Sequence, residues 1–335
     1  MTPETTQERE TAHKIEELAS RIRTNIGRVI VGKSDIVDLF LTALFAKGHV
    51  LLEDVPGTGK TKLARALARS VDSTFTRVQF TADLLPSDLT GIHYYNQKLG
   101  EFIFRAGPLF TNILLADEIN RATARTQSSL LECMEERQVT VDGDSMLLNH
   151  PFFVVATENP VETQGTFPLP EAQLDRFLMR LRLGYPEKED AVKILSRFRT
   201  EDPLQTLVPV CHADELILIQ EQVEKVRLCN SVLAYIVDII EATRSSDAVL
   251  LGASPRASLA LMKASQAHAA IHGRMFVTPD DVKALVIPVL AHRLILRSNS
   301  SVSLDGQYGK QYGRASELLK KILGEISCPT EDFSI

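Results

Sequence analysis

Leu52-Glu53-Asp54-Val55-Pro56-Gly57-Thr58-Gly59-Lys60-Thr61 closes an apolar run, turns on two glycines and opens a helical pattern with a lysine and a threonine. Glycines let a backbone wrap closely around an anion, so that successive N–H groups point inward as a nest. A lysine there reaches the outer phosphates of a nucleotide, and the next hydroxyl can hold Mg²⁺. Asp54 stands where the strict GxxxxGK[ST] pattern has its first glycine, so the match is short by one position. A chance glycine turn capping a helix is the plain alternative, and the loop alone fits many nucleotide-binding proteins.

Outward from the loop, short apolar runs alternate with helical periodicity. The runs His49–Leu52, Phe75–Phe80, Asn112–Ala116, Phe152–Thr157 and Met179–Leu183 read as strands, with helices at Lys60–Ser70 and Thr126–Arg137. Such alternation predicts an α/β fold with a parallel five-stranded sheet flanked by helices. Two hairpins interrupt it, one over Ile92–Arg105 and one pairing Gln138–Val141 with Met146–Asn149 around Asp142-Gly143. After Tyr185-Pro186 only helices are read, at Glu187–Arg199, Asp214–Arg227, Ser231–Arg244, Pro255–His272 and Pro279–Arg293. Ser254 and Thr278 precede prolines at helix starts and read as N-caps. The predicted organisation is an N-terminal helix over 1–28, a core over 29–186, an all-α lid over 187–297, and a flexible connector with a final helix over 298–335.

A chain of 335 residues is long enough for about two domains. Its net charge of −6 weighs against holding nucleic acid by phosphate neutralisation, which favours a basic face, and in favour of polypeptide partners. Cys133, Cys211, Cys229 and Cys328 show no CxxC spacing and read as small buried thiols. No apolar run reaches the ~20 residues of a membrane span, and the polar first ten residues carry no signal-peptide core; the expected location is cytoplasmic.

The strand Ile113–Ala116 ends in Asp117-Glu118. Neighbouring residues at a strand end point in different directions, so one carboxylate can face a metal ion and the other an attacking water. The strand Phe152–Thr157 ends in Glu158-Asn159-Pro160, placing an amide at the edge where open α/β sheets bind ligands. A solvated acidic turn and a simple Asn-Pro turn are the bland readings, and each loses ground once the three motifs are taken together.

Taken in order, GTGKT, LLADEINRA at 114–122, VVATENP at 154–160, LPEAQLDRF at 169–177 and GASPRAS at 252–258 resemble the MoxR branch of the AAA+ ATPases, over most of the chain. The resemblance implies an ATP-hydrolysing enzyme with Mg²⁺. Asp54, Pro56, Gly57, Thr58, Gly59, Lys60, Thr61 and Lys62 would form its Walker A loop, with Thr61 and Asp117 at the metal and Glu118 orienting water. It casts Asn159 as sensor 1, Arg176 as an arginine finger reaching a neighbouring subunit, Arg256 as sensor 2, and Val31 and Gly32 as part of the adenine pocket. Arg121 and Arg125 are further candidates, and the two hairpins match inserts typical of this clade. It also implies a homo-oligomer, a hexameric ring, that remodels or matures a separate protein with a von Willebrand factor A domain. A metal-chelatase ATPase subunit, a DNA motor and a nucleotide-gated switch with little turnover are the competing readings.

Overall fold

The computed structural model describes residues 6–159, 165–199, 202–297 and 307–330. Helix α1 (Thr6–Gly27) buries Ile15, Leu18, Ala19, Ile22 and Ile26, the stripe expected from its three-to-four-residue spacing. Helix α2 (Ser34–Phe45) follows, and then β1 (Val50–Glu53) leads through the glycine loop into α3 (Lys60–Ser70). Strand β2 (Phe75–Gln79), the short α4 (Pro86–Thr90) and the hairpin β3 (Gly91–Asn96)–β4 (Glu101–Ala106) come before β5 (Ile113–Asp117). A 3₁₀ turn at Ile119–Arg121 opens into α5 (Ala124–Glu136), a second hairpin β6 (Gln138–Val141)–β7 (Asp144–Leu147), β8 (Phe153–Glu158), α6 (Glu171–Leu174) and β9 (Met179–Leu181).

The main sheet has the order β2-β5-β8-β1-β9, with every neighbouring pair parallel. Strand alternation divides its side chains between two cores. Val50, Leu52, Ile113, Leu115, Phe153 and Val155 face one, which is continuous with α1, α2, α3 and the lid. Leu51, Leu114, Ala116, Val154 and Ala156 face the other, under α5. The register pairs Gln79 with Asp117 and Glu53 with Glu158, so the carboxyl ends of four strands finish along one edge. That edge carries the site.

The second hairpin differs from its expected register. Val141 pairs with Asp144 and Gln138 with Leu147, so the loop is the two residues Asp142-Gly143 alone. Both have positive φ, 54° and 93°, the geometry that a tight turn matching strand twist requires. His93 Nδ1 meets Asp142 Oδ2 at 2.9 Å and ties the two hairpins together.

The lid consists of α7 (Lys188–Arg197), α8 (Ala213–Val223), α9 (Asn230–Ser245), α10 (Pro255–Ile271) and α11 (Pro279–Leu290). Ser254 caps α10 by accepting from the Ala257 N–H at 3.3 Å, and Thr278 with Asp281 forms a capping box on α11. One departure from a purely helical lid is the antiparallel pair β10 (Val249–Leu251) and β11 (Ile295–Leu296), too short to carry a periodic signal. The final helix α12 spans Gln307–Glu325. It begins earlier than Arg314, so the connector expected as far as Tyr312 is helical from Gln307; its 298–306 portion lies outside the described residues, as do 1–5 of the N-terminal segment. Cys133 and Cys211 are buried, their thiols pushed up to about 12 chiefly by burial, but Cys229 is only partly covered and Cys328 is exposed. Among the described residues no helix is long and apolar enough to cross a membrane.

Candidate active site

The glycine loop, the ends of β2, β5 and β8, and the start of the lid enclose a cleft of about 1090 Å³. Val31, Pro56, Gly57, Thr58, Gly59, Lys60, Thr61, Lys62, Asp117, Glu118 and Asn159, all singled out from sequence, line it together. Gly57 and Gly59 have φ of 85° and 97°, which favour glycine, and the space a Cβ would occupy at either is open. A phosphate can therefore approach the loop backbone closely. Lys60 opens α3 and donates from Nζ to the Asp54 carbonyl at 2.8 Å. Burial pulls its ammonium below the ordinary lysine value, against the nearby Asp117, Asp54 and Glu118 carboxylates, which oppose that shift.

Asp54 and Gly32 stand behind the cleft rather than in its wall. The Asp54 carboxylate accepts from the Val55 N–H at 3.0 Å and from the Gly184 N–H at 2.8 Å, fastening the loop to the segment after β9. A glycine could not make that bond, which gives the departure from the strict motif a structural reason. Gly32, at φ 71°, packs so tightly on Asp190 that a Cβ would fall 1.7 Å from its Oδ2.

Opposite the loop, Thr157 joins the two acidic residues. Its hydroxyl donates to Asp117 Oδ1 at 2.7 Å and accepts from the Glu118 N–H at 2.8 Å. Asp117 Oδ2 also accepts from Arg77, at 3.0 Å from Nε and 2.6 Å from Nη2. Glu118 adopts a left-handed backbone, φ 57° and ψ 51°, a conformation costing on the order of 1–3 kcal/mol for a non-glycine residue. Its Oε2 is held by Gln79 Nε2 at 2.6 Å and by Arg121 Nε at 3.0 Å. The carboxylate is thereby aimed at the cleft. Asn159, one residue beyond β8, is 5% exposed and borders the same space.

Sequence reasoning missed Arg77, Gln79 and Thr157, and also the apolar wall formed by Ile30, Ile194, Leu195 and Phe198 beside Val31. Lys62 Nζ lies 3.5 Å above the Phe198 ring on that side.

Arg176 and Arg256 do not line the cleft. They meet in a second centre, a pocket of about 300 Å³ between α5, the end of α6 and the start of α10. Arg176 Nη1 lies 2.8 Å from Glu135 Oε2 and also donates to the Leu131 carbonyl at 2.9 Å. Arg256 bonds the other oxygen of the same carboxylate. Arg293, 8% exposed, fastens the segment beside them, donating to Asp175 Oδ1 at 2.6 Å and to the Phe177 carbonyl at 2.8 Å. Ser254 donates to Asp175 Oδ2 at 3.4 Å, so the LDRF and SPRA segments join in one polar network.

Behind the loop, Glu53 is nearly buried and bonded by Arg180 Nη2 at 2.7 Å and Arg182 Nε at 2.8 Å. Tyr312 of α12 covers both guanidiniums, its ring 5.3 and 4.8 Å from them. Burial pushes the adjacent Glu158 up to about 7, against the pull of Arg180 and with a smaller push from Glu53.

Residues 49–179 match the ATPase family associated with various cellular activities (AAA), and residues 241–307 match the AAA lid domain. The chain is 50% identical to the protein YeaC of Bacillus subtilis over 93% of its own length and 95% of that protein. It is 41% identical to the chaperone MoxR1 of Mycobacterium tuberculosis, over 84% of this chain and 78% of the other. A crystal structure from Cytophaga hutchinsonii, described as that of an ATPase, superposes with a TM-score of 0.85 at 35% identity, covering 96% of this chain and 98% of that one. With an AAA core, an AAA lid and this likeness to MoxR1 over most of both chains, this chain is a member of the MoxR family of AAA ATPases.

Proposed function

We propose that the chain binds ATP with Mg²⁺ in the cleft and hydrolyses it, as one subunit of a hexameric ring that remodels or matures a partner protein in the cytoplasm. The observation that carries the hydrolytic reading is Thr157, whose one hydroxyl fixes the side chain of Asp117 and the backbone of Glu118 opposite the Lys60 loop. Loop N–H groups and Lys60 take the phosphates, and Val31, Ile194, Leu195 and Phe198 offer an apolar slot for the base. Glu118, held by Gln79 and Arg121, orients and deprotonates the attacking water, with Asn159 beside it. Thr61 and Asp117 supply hard oxygen donors suited to Mg²⁺, an ion that keeps several waters and takes few protein ligands. Bound there, it would neutralise charge developing on the phosphate oxygens.

Arg176 and Arg256 lie outside their own cleft, which supports their acting on nucleotide held by a neighbouring copy. The name of the relative MoxR1, a chaperone, supports the remodelling role. A separate protein with a von Willebrand factor A domain is the partner that the family resemblance favours.

Glu118→Gln tests the catalytic assignment. Mg²⁺-dependent turnover should fall roughly 10²–10⁴-fold while nucleotide affinity persists. Equal turnover in parent and variant overturns it. Chelation of a metal into a tetrapyrrole-type acceptor, or salt-dependent DNA affinity, would move the reading to the chelatase or the motor.

A further inference from the structure

Arg176 and Arg256 belong to segments 80 positions apart in the chain, yet both end on the carboxylate of Glu135, one on each oxygen. Glu135 lies in the last turn of α5 and is not part of any motif read from the sequence. The three side chains are between 31% and 46% exposed, and ion pairs that open to solvent contribute only about 0–1 kcal/mol to stability. Holding the fold together is therefore a poor account of the arrangement.

The surrounding charges sharpen the point. Lys47, Arg137, Lys263 and Arg293 also line this pocket, and Asp175 is its other carboxylate. Arg137 spends its donors on the Lys47 and Phe152 carbonyls, Arg293 on Asp175 and nearby carbonyls, and Lys47 pairs with Glu224 at 2.7 Å. Arg176 and Arg256 share the single negative charge of Glu135, and Lys263 adds a further cation to the pocket. One carboxylate aligns both guanidiniums yet neutralises only one of them, leaving a net positive, solvent-facing pair that matches a polyanion.

We propose that Glu135 is a positioning residue, which sets Arg176 and Arg256 side by side for the triphosphate of nucleotide bound to a second copy of this chain. The inference rests on the shared-site reading above. Long arginine side chains lose much rotamer entropy when a ligand must order them, and the Glu135 carboxylate removes most of that loss beforehand. Orientation is the larger part of the gain, because small misplacement of a group that stabilises transferring phosphoryl charge lowers turnover steeply.

The test uses the full chain and ATP itself. Glu135→Ala should lower kcat roughly 10- to 100-fold with KM changed by no more than about twofold, because its own cleft is intact. Mixed with Lys60→Ala subunits, whose clefts fail but whose arginines are sound, Glu135→Ala subunits should regain turnover. Arg176→Ala mixed with Lys60→Ala is the control and should regain it too. Adding Glu135→Ala to the double variant Arg176→Ala/Arg256→Ala should slow it no further, since both side chains that it positions are then gone. Glu135→Gln, which keeps an oxygen acceptor for one arginine, should fall between parent and Glu135→Ala, and it carries the same mixing comparison if the alanine variant does not fold. Parent-like turnover in Glu135→Ala, or a defect that Lys60→Ala subunits leave unrelieved while relieving Arg176→Ala, overturns the positioning role. Failure of Arg176→Ala itself to be relieved, with mixed assemblies confirmed, overturns the shared-site reading and the positioning role with it.

Discussion

The phosphate cleft and the arginine centre are built in opposite ways. The cleft is made by strand ends and a backbone loop: Gly57 and Gly59 turn the chain, Asp54 pins it to Gly184, and Thr157 locks the two acidic residues. Its parts are held by the sheet whether or not a ligand is present. The arginine centre is made by side chains from three segments that meet on Glu135 and Asp175, half open to water. A sheet edge presents a fixed anion nest, whereas a cluster of long cations bridging core and lid can be reset by small movements of the lid. The difference fits a division between holding a nucleotide and sensing one.

The largest expected effect falls on the anchor of the second centre. Arg293 is 3% exposed at its side chain and bridges the lid to Asp175 and to carbonyls of the segment between α6 and β9. Removing one partner of a buried, hydrogen-bonded ion pair costs about 3–5 kcal/mol. Arg293→Ala should lower the chemical-unfolding free energy by that amount, while nucleotide affinity at a temperature where the variant stays folded remains close to the parent's. A comparable loss of affinity would show that the two centres are not separately built.

How far these regions were legible in the sequence follows the same division. The loop, Asp117-Glu118 and Asn159 were readable because each is a local pattern at a strand end, and the sheet only had to bring the ends together. Gln79 and Arg77 were not, because their meaning depends on β2 lying beside β5, an order that strand patterns do not encode. Glu135 reads as one acid in the acidic run of α5, and its role exists only once Arg176 and Arg256 converge on it. Ile194, Leu195 and Phe198 read as an ordinary amphipathic stripe, although no residue of α7 is buried and they border the cleft. The hairpin at Asp142-Gly143 was found by its turn and misplaced by two residues, because alternation on a short exposed strand sets register weakly.

A second measurement addresses the support behind the cleft. Glu158, held near 7 in the fold by burial, has an ordinary value of 4.5 when released. Between those values the folded state keeps a proton that the unfolded chain has lost, so stability falls as pH rises through that window, by at most about 3 kcal/mol. Glu158→Gln should flatten the slope of unfolding free energy between about pH 4.5 and about pH 7. An unchanged slope would mean that Arg180 already neutralises the carboxylate, and that the wall behind Asn159 is an ordinary ion pair.

The smallest effect asks whether even the rigid cleft has an adjustable part. Gln79 sits at the end of β2, directly across from Asp117 in register, and its amide holds Glu118 Oε2 at 2.6 Å. Arg121 holds the same oxygen at 3.0 Å from the turn on the other side. Losing the amide leaves the carboxylate to Arg121 alone, which keeps its charge but frees its angle, while the loop, Lys60 and the base slot are untouched. Gln79→Ala should therefore reduce kcat about tenfold, one net hydrogen bond's worth of orientation, at unchanged affinity. Gln79→Glu should do worse than alanine, since it sets a second carboxylate against Glu118 and repels it from the position the water requires. If the glutamate variant turns over like the parent while alanine does not, Gln79 contributes only its bulk, and the cleft is as rigid as its backbone makes it.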